Sequence, residues 1–159
     1  MAVRHVIGDA TDPRGPGPCI IVHVCNNVGG WGAGFVLALS ARWEEPERSY
    51  AAWYHGETTD MPFELGQVQF VKVEDDIWVA NMIGQHGVSP ERGVPPVRYE
   101  AIREGLRRVA ARAKELGASV HMPRIGSGLA GGNWEEISKI VEEELASRGV
   151  EVTVYEKPK

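Results

Sequence analysis

Apolar positions along this chain fall into short dense blocks separated by glycine, proline and charge. Residues 3–7, 19–25, 67–73, 77–83, 119–125 and 151–155 are runs of five to seven residues rich in Val, Ile and aromatic side chains. That length and composition predict strands. The run 19–25 is continuously apolar, which suits a strand covered on both faces. Residues 67–73 and 77–83 are separated by Glu74-Asp75-Asp76 and predict a hairpin, hence an antiparallel pair.

Helical spacing appears four times. Residues 35–43 form one short segment, and a second runs from Pro46, a first-turn proline, to Gly56. Tyr50, Trp53 and Tyr54 are its expected packing face. Residues 97–116 give the clearest period: Ile102, Leu106, Val109, Ala113 and Leu116 share one face, and Gly117 ends it. Arg103, Arg107, Arg108, Arg112 and Lys114 lie outside that face, diluted by Glu100, Glu104 and Glu115, as on a solvated surface. In the last helix Ile137, Ile140, Val141 and Leu145 face inward and Gly149 stops it. Asn133 is a suitable N-cap, with Glu136 completing a capping-box pattern. The order β, β, α, α, β, β, α, β, α, β predicts an α/β fold, a three-layer α/β/α sandwich on a mixed sheet of about six strands in a single domain.

Two glycine loops punctuate this pattern. Asn26-Asn27-Val28-Gly29-Gly30-Trp31-Gly32-Ala33-Gly34-Phe35 follows the second strand, and Gly126-Ser127-Gly128-Leu129-Ala130-Gly131-Gly132 follows the fifth. Each leads into a helix and holds more glycine than a turn needs. Free N–H groups and the helix dipole make such a junction an anion site. Gly126, Gly128, Gly131 and Gly132 are expected at positive φ or in close approach to a ligand. Gly126-x-Gly128-x-x-Gly131 fits the dinucleotide fingerprint, but only one helix and one strand follow it, too little for a dinucleotide domain.

Composition narrows the chemistry. The net charge of −5 argues against nucleic acid as a partner, while a small anion held by backbone N–H groups is compatible. The two cysteines, Cys19 and Cys25, with no apolar leader, fit a reduced, cytoplasmic setting. No run is long enough for a membrane span, and no His/Cys/Asp spacing matches a metal site, so neither metal nor cofactor is expected. The oligomeric state is not legible. Gly84 to Pro96, opened by Gln85 and His86, reads as a solvated loop or as a lid over the ligand. His23 reads equally as a satisfied core residue or as a base.

Four segments together resemble the macro domain, the ADP-ribose-binding family. They are Gly8-Asp9-Ala10-Thr11, His23-Val24-Cys25-Asn26-Asn27, Gly29-Gly30-Trp31-Gly32-Ala33-Gly34-Phe35, and Met122-Pro123-Arg124-Ile125-Gly126-Ser127-Gly128-Leu129-Ala130-Gly131-Gly132-Asn133-Trp134. The last, with Val152-Thr153-Val154-Tyr155, is similar to the branch holding the yeast-type ADP-ribose-1″-phosphate phosphatase and the terminal ADP-ribose protein glycohydrolase. The resemblance implies that Asp9 and Ala10 meet adenine, and that Tyr155 lines the adenosine side. It implies that amides of Gly32 to Phe35 and of Ser127 to Ala130 cradle the pyrophosphate, and that Asn26 reaches the distal ribose. Cys25, Gly30, Trp31, Ala33, Gly34, Pro123, Ile125, Gly126, Gly128 and Leu129 complete the expected lining. Where the lysine-dependent branch has its lysine, this chain has Gln85 and His86, and the partner acid corresponds to Ala130. The expected activity is therefore hydrolysis of ADP-ribose from protein side chains, ester-linked Asp or Glu above all, by a positioned water. Asn26, His23 and Gln85 are the candidate catalytic residues. Phosphate release from ADP-ribose-1″-phosphate and non-catalytic reading of ADP-ribose are the alternatives.

Overall fold

A computed structural model describes residues 3–58, 61–128 and 130–158. The strands are β1 (Val3–Ile7), β2 (Cys19–Asn26), β3 (Val68–Glu74), β4 (Ile77–Gln85), β5 (Ser119–Pro123) and β6 (Val152–Glu156). The helices are α1 (Phe35–Arg42), α2 (Glu45–Tyr54), α3 (Tyr99–Leu116) and α4 (Trp134–Glu144), with a short 3₁₀ turn over Ala146–Arg148. One sheet runs β1-β6-β5-β2-β4-β3. All neighbours are parallel except the antiparallel pair β3–β4, which is the hairpin expected from the sequence.

The strand period of two sorts the core into layers. Ile20 and Val22 of β2, Ala80 and Met82 of β4, Val120 and Met122 of β5, and Val152 and Val154 of β6 pack under α3 and α4. Ile21 and Cys25 of β2, with Val79 and Ile83 of β4, face the other way, under α1 and α2. The sheet is thus covered on both faces, the sandwich predicted from the alternation of elements. Ile102, Leu106 and Val109 of α3 and Ile137 of α4 are fully buried, as their period requires.

Several details differ from expectation. Helix α3 starts at Tyr99, not residue 97, because Val97 pairs with Gln85 in an isolated bridge and Arg98, the N-cap, is extended at φ −125° and ψ 106°. Val97 N–H donates to Ala130 O at 3.0 Å and Arg98 N–H to Gly84 O at 2.8 Å. Strand β5 stops at Pro123, and Gly126 then turns the chain at φ 72°. On α2, Tyr50 and Trp53 are buried, but Tyr54 is 43% exposed. Its ring instead covers Gly29, where a Cβ would lie 2.6 Å from the ring carbons.

Asn133 caps α4 by accepting from Glu135 N–H (2.8 Å) and Glu136 N–H (3.4 Å). The reciprocal half of the expected box is replaced, since Asn133 N–H donates to the Tyr99 hydroxyl at 3.0 Å. The outer face of α3 does more than meet water. Arg103 and Arg107 reach Glu144 of α4, which Arg148 also contacts, so a carboxylate only 4% exposed is neutralised by three guanidiniums. Among the described residues, no helix is long and apolar enough to cross a membrane.

Candidate functional site

Because β2 and β5 are parallel neighbours, their C-terminal ends share one edge of the sheet, and so do the two glycine loops that follow them. That is why segments about one hundred residues apart converge. They line one cavity of about 550 Å³, a size typical of small-molecule sites. Strand β4 ends at the same edge, with Asn26 opposite Gln85 across a bulge after Cys25.

The first loop is organised by Asn26. Its Oδ1 accepts from Val28 N–H (3.0 Å) and Gly30 N–H (2.9 Å), and its Nδ2 donates to Gly30 O (2.9 Å). The amide expected to reach a ligand therefore closes its own loop. The Tyr50 hydroxyl donates to Asn26 O at 2.7 Å and lies 2.9 Å from Asn26 Oδ1. Gly34, the N-cap of α1, sits at φ 85° and provides no side-chain cap, so the first-turn amides stay open. Among the described residues, the N–H groups of Gly32, Ala33 and Gly34 have no acceptor.

The second loop is built from main chain. Gly132 N–H donates to Gly126 O at 2.7 Å and Gly131 N–H to Gly128 O at 3.0 Å. Gly126 and Gly131 have positive φ; Gly128 and Gly132 do not. Gly132 is needed for space instead, since a Cβ there would lie 2.4 Å from Gly126 O. Gly128 and its counterpart Gly32 satisfy neither requirement: both line the cavity, neither has positive φ, and a Cβ on either would meet nothing within 4 Å. Glycine at both places leaves bare backbone facing the open volume.

His23 is 2% exposed at the cavity floor, its Nε2 2.5 Å from Asn81 Oδ1. Asn81 Nδ2 donates to Pro46 O and Gln69 Oε1, which turns Oδ1 towards the histidine. The proton is thereby assigned to His23 Nε2, with Nδ1 unprotonated and 4.0 Å from Cys25 Sγ. Burial lowers its pKa to about 4 against the raising effect of the Asn81 bond, so the ring is neutral. Cys25, beside it, is buried, and burial pushes its thiol up.

The cavity brings together fifteen of the residues singled out above: His23, Cys25, Asn26, Gly30, Trp31, Gly32, Ala33, Gly34, Phe35, Gln85, Pro123, Ile125, Gly126, Gly128 and Ala130. Leu129 lies outside the described residues. Asp9, Ala10, Ser127 and Tyr155 do not line it. Asp9 is exposed and its Oδ1 accepts from both Thr11 N–H and Thr11 Oγ1 at 2.8 Å. Slight burial raises its pKa, but these bonds prevail and hold it below the usual carboxylate range. Ala10 is buried. Ser127 N–H turns back to Arg124 O (3.4 Å), and its Oγ donates to the same carbonyl at 2.7 Å.

Tyr155 is 3% exposed. Its hydroxyl accepts from Arg14 N–H (2.9 Å) and is hydrogen-bonded with His121 Nδ1 (2.7 Å), securing the loop after β1 to the sheet. Val24, Val36, Val88 and Arg124 also line the cavity. The first two were legible as neighbours of glycine-loop residues on β2 and α1. Arg124 carries the cavity's only charge among the described lining residues, shared with Glu156 and laid over Trp134. Val88 belongs to an excursion between Gln85 and Val97, which pair as an isolated bridge. Asn27 ties this excursion to β2: its Oδ1 accepts from Gly87 N–H at 2.8 Å, and its Nδ2 is 3.0 Å from His86 Nδ1. No group of three or more His, Cys, Asp or Glu among the described residues could hold a metal ion.

No protein-family model matches the chain. The chain is 33% identical over 163 residues to "Chromodomain-helicase-DNA-binding protein 1-like" of Danio rerio, across 97% of this chain but 15% of that protein. The chain thus spans a small part of that relative's length. It is 24% identical to the "ADP-ribose 1''-phosphate phosphatase" of Lodderomyces elongisporus, over 89% of this chain and 92% of that one. Among solved structures, a macrodomain protein from Streptomyces coelicolor superposes with a TM-score of 0.85 at 54% identity, covering 98% of this chain and 99% of its own. With near-complete coverage at more than half identity, and the two glycine loops at one sheet edge, this chain belongs to the macrodomain family.

Proposed function

We propose that the cavity binds ADP-ribose and that the chain hydrolyses ADP-ribose from protein carboxyl side chains by directing a water at the anomeric carbon. The observation that carries this reading is the pair Gly32 and Gly128, bare glycines on the two loops with open space at both Cβ positions. A diphosphate laid between them would accept from amides at the start of α1 and along the second loop. Oriented dipoles would then do the work of cations in a chain of net charge −5. That charge favours protein over nucleic acid as the carrier.

The reacting end is assigned to the wall where β2 and β4 finish, at Asn26, Gln85 and His23. Among the described lining residues there is no carboxylate and no amine. With a pKa near 4, His23 is too weak a base to activate a nucleophile at neutral pH, so its unprotonated Nδ1 is assigned to orientation. Gln85 Nε2 donates to Gly87 O at 3.0 Å, which leaves Oε1 as an acceptor for the attacking water. The water's oxygen bonds to the anomeric carbon, the side-chain carboxylate departs with the bonding pair, and the water's surplus proton is released to bulk solvent. A carboxylate is a good leaving group, so placement of the water supplies much of the rate. Asn26 acts through the loop it closes.

The test is titration calorimetry with ADP-ribose, followed by incubation with carboxyl-ADP-ribosylated protein and, separately, with ADP-ribose-1″-phosphate. Release of ADP-ribose from the protein supports the proposal. Turnover of the phosphate ester alone would assign the activity carried in the name of the yeast relative. Binding without turnover of either would make the chain a reader, and no binding at millimolar ligand would remove the proposal altogether.

A further inference from the structure

Tyr50 is the polar side chain of α2 that reaches into the first glycine loop. It is 1% exposed, and its ring packs 5.4 Å from Trp31 and 5.7 Å from Phe63, centroid to centroid. Its hydroxyl meets three groups of the loop: Asn26 O at 2.7 Å, Asn26 Oδ1 at 2.9 Å and Gly29 N–H at 3.2 Å. One side chain twenty-four residues away thus holds the strand end, the Asn26 amide, the left-handed glycine at φ 79° and the indole that follows.

We infer that Tyr50 is a positioning residue for ligand binding, its hydroxyl setting the path of residues 26–31 so that the amides of Gly32, Ala33 and Gly34 face the cavity. This rests on the proposed binding of ADP-ribose. Asn26 alone fixes the chord from Asn26 to Gly30 through the bonds of its amide. That closed chord could still rotate as a unit about the end of β2. The hydroxyl blocks the rotation by bonding inside the chord, at Gly29, and at its base, at Asn26 O. Trp31, stacked edge-on to His23 at 5.3 Å and donating from Nε1 to Ser40 Oγ at 2.8 Å, carries the setting forward to Gly32. No bond joins Tyr50 to the second loop among the described residues, so its effect is confined to one half of the cradle.

Tyr50→Phe keeps the ring and removes the hydroxyl. The expected result is ADP-ribose affinity about tenfold weaker, the equivalent of losing one such restraint. Amide hydrogen exchange should accelerate at residues 28–35 and stay unchanged at residues 126–132. Phe63→Leu is the control: it trims packing beside Tyr50 and keeps the hydroxyl, so it should lower thermal stability with affinity retained. A merely structural role would give both variants the same affinity at matched stability, which overturns the inference. Should Tyr50→Phe not fold, exchange in the wild-type chain decides: Gly29 N–H protected like the core supports the inference, and exchange at the rate of an unprotected amide overturns it. Wild-type protein that fails to bind ADP-ribose defeats the proposed function, while the exchange arms still report on the hydroxyl.

Discussion

The two glycine loops lie side by side and line the same cavity, yet they are held in opposite ways. The first is restrained by side chains: the Asn26 amide closes it, the Tyr50 hydroxyl fixes it, and the Tyr54 ring covers Gly29. The second is restrained by its own backbone and by the lack of side chains: Gly132 bonds to Gly126 O, and Ile137 Cδ1 lies within 3 Å of where a Cβ on either glycine would be. Added atoms threaten both loops, at Gly29 in the first and at Gly132 in the second, but it is the first whose polar side chains hold it and whose shape a deletion would undo. Loops of equal glycine content need not owe their shape to the same forces.

The largest effect is expected from deletion in the first loop. Asn26→Ala strands Val28 N–H and Gly30 N–H and should cost about 3 kcal/mol of stability in denaturant unfolding, with ADP-ribose affinity falling more than tenfold. Wild-type affinity in this variant would show that the first loop stands on main chain alone and would erase the contrast. Addition in the second loop comes next. Gly132→Ala forces a Cβ towards Gly126 O and should cost about 2 kcal/mol, read from the same unfolding curves, with weakened binding. If it unfolds like the wild type, the second loop is not close-packed.

Smaller still is a change at the far end of α4. Burial raises the Glu144 pKa, but Arg103, Arg107 and Arg148 outweigh it and hold the carboxyl below its ordinary range. Its stabilisation is present above the unfolded pKa and is lost as pH falls through the folded one. Glu144→Gln should lower stability by about 1–2 kcal/mol at pH 7, the gap closing in acid, with ADP-ribose affinity unchanged. Lost affinity would mean that the second loop depends on the whole of α4 and not on Ile137 at its start. The smallest expected effect is none: with His23 neutral down to about pH 4, calorimetric affinity should be flat from pH 6 to 8. A step near pH 6.5 would show the ring protonating. His23 and His121 both have pKa values lowered to about 4 by burial, so the stability they allow is full above pH 6.5 and falls away as pH drops towards 4.

Much of the scaffold was legible because local pattern and tertiary packing agree. Ile102, Leu106 and Val109 announce α3, and the apolar run of β2 announces a strand covered on both faces. The convergence of the loops followed from their shared place after strands, once those strands proved to be parallel neighbours. What the sequence hid was the direction in which polar side chains point. The resemblance makes Asn26 a ligand contact, but its amide is taken by Val28 and Gly30 of its own loop and by a tyrosine on another layer. The resemblance makes Tyr155 a lining residue on the adenosine side, but Arg14 and His121 take its hydroxyl from elements far away in sequence. Tyr54 reads as core by period, yet the first loop needed a cover. The tyrosine contacts are decided by long-range pairing, which no local window contains; the Asn26 bonds are local, but need the turn that only the folded loop provides.

The donors to a phosphate here are peptide N–H dipoles, and a dipole's field fades with distance faster than that of a point charge. Far from the mouth an incoming dianion senses chiefly the molecule's net charge of −5, which repels it. Capture should therefore be unsteered and modest in rate, and added electrolyte should speed the encounter by damping the repulsion while leaving the short-range grip nearly intact.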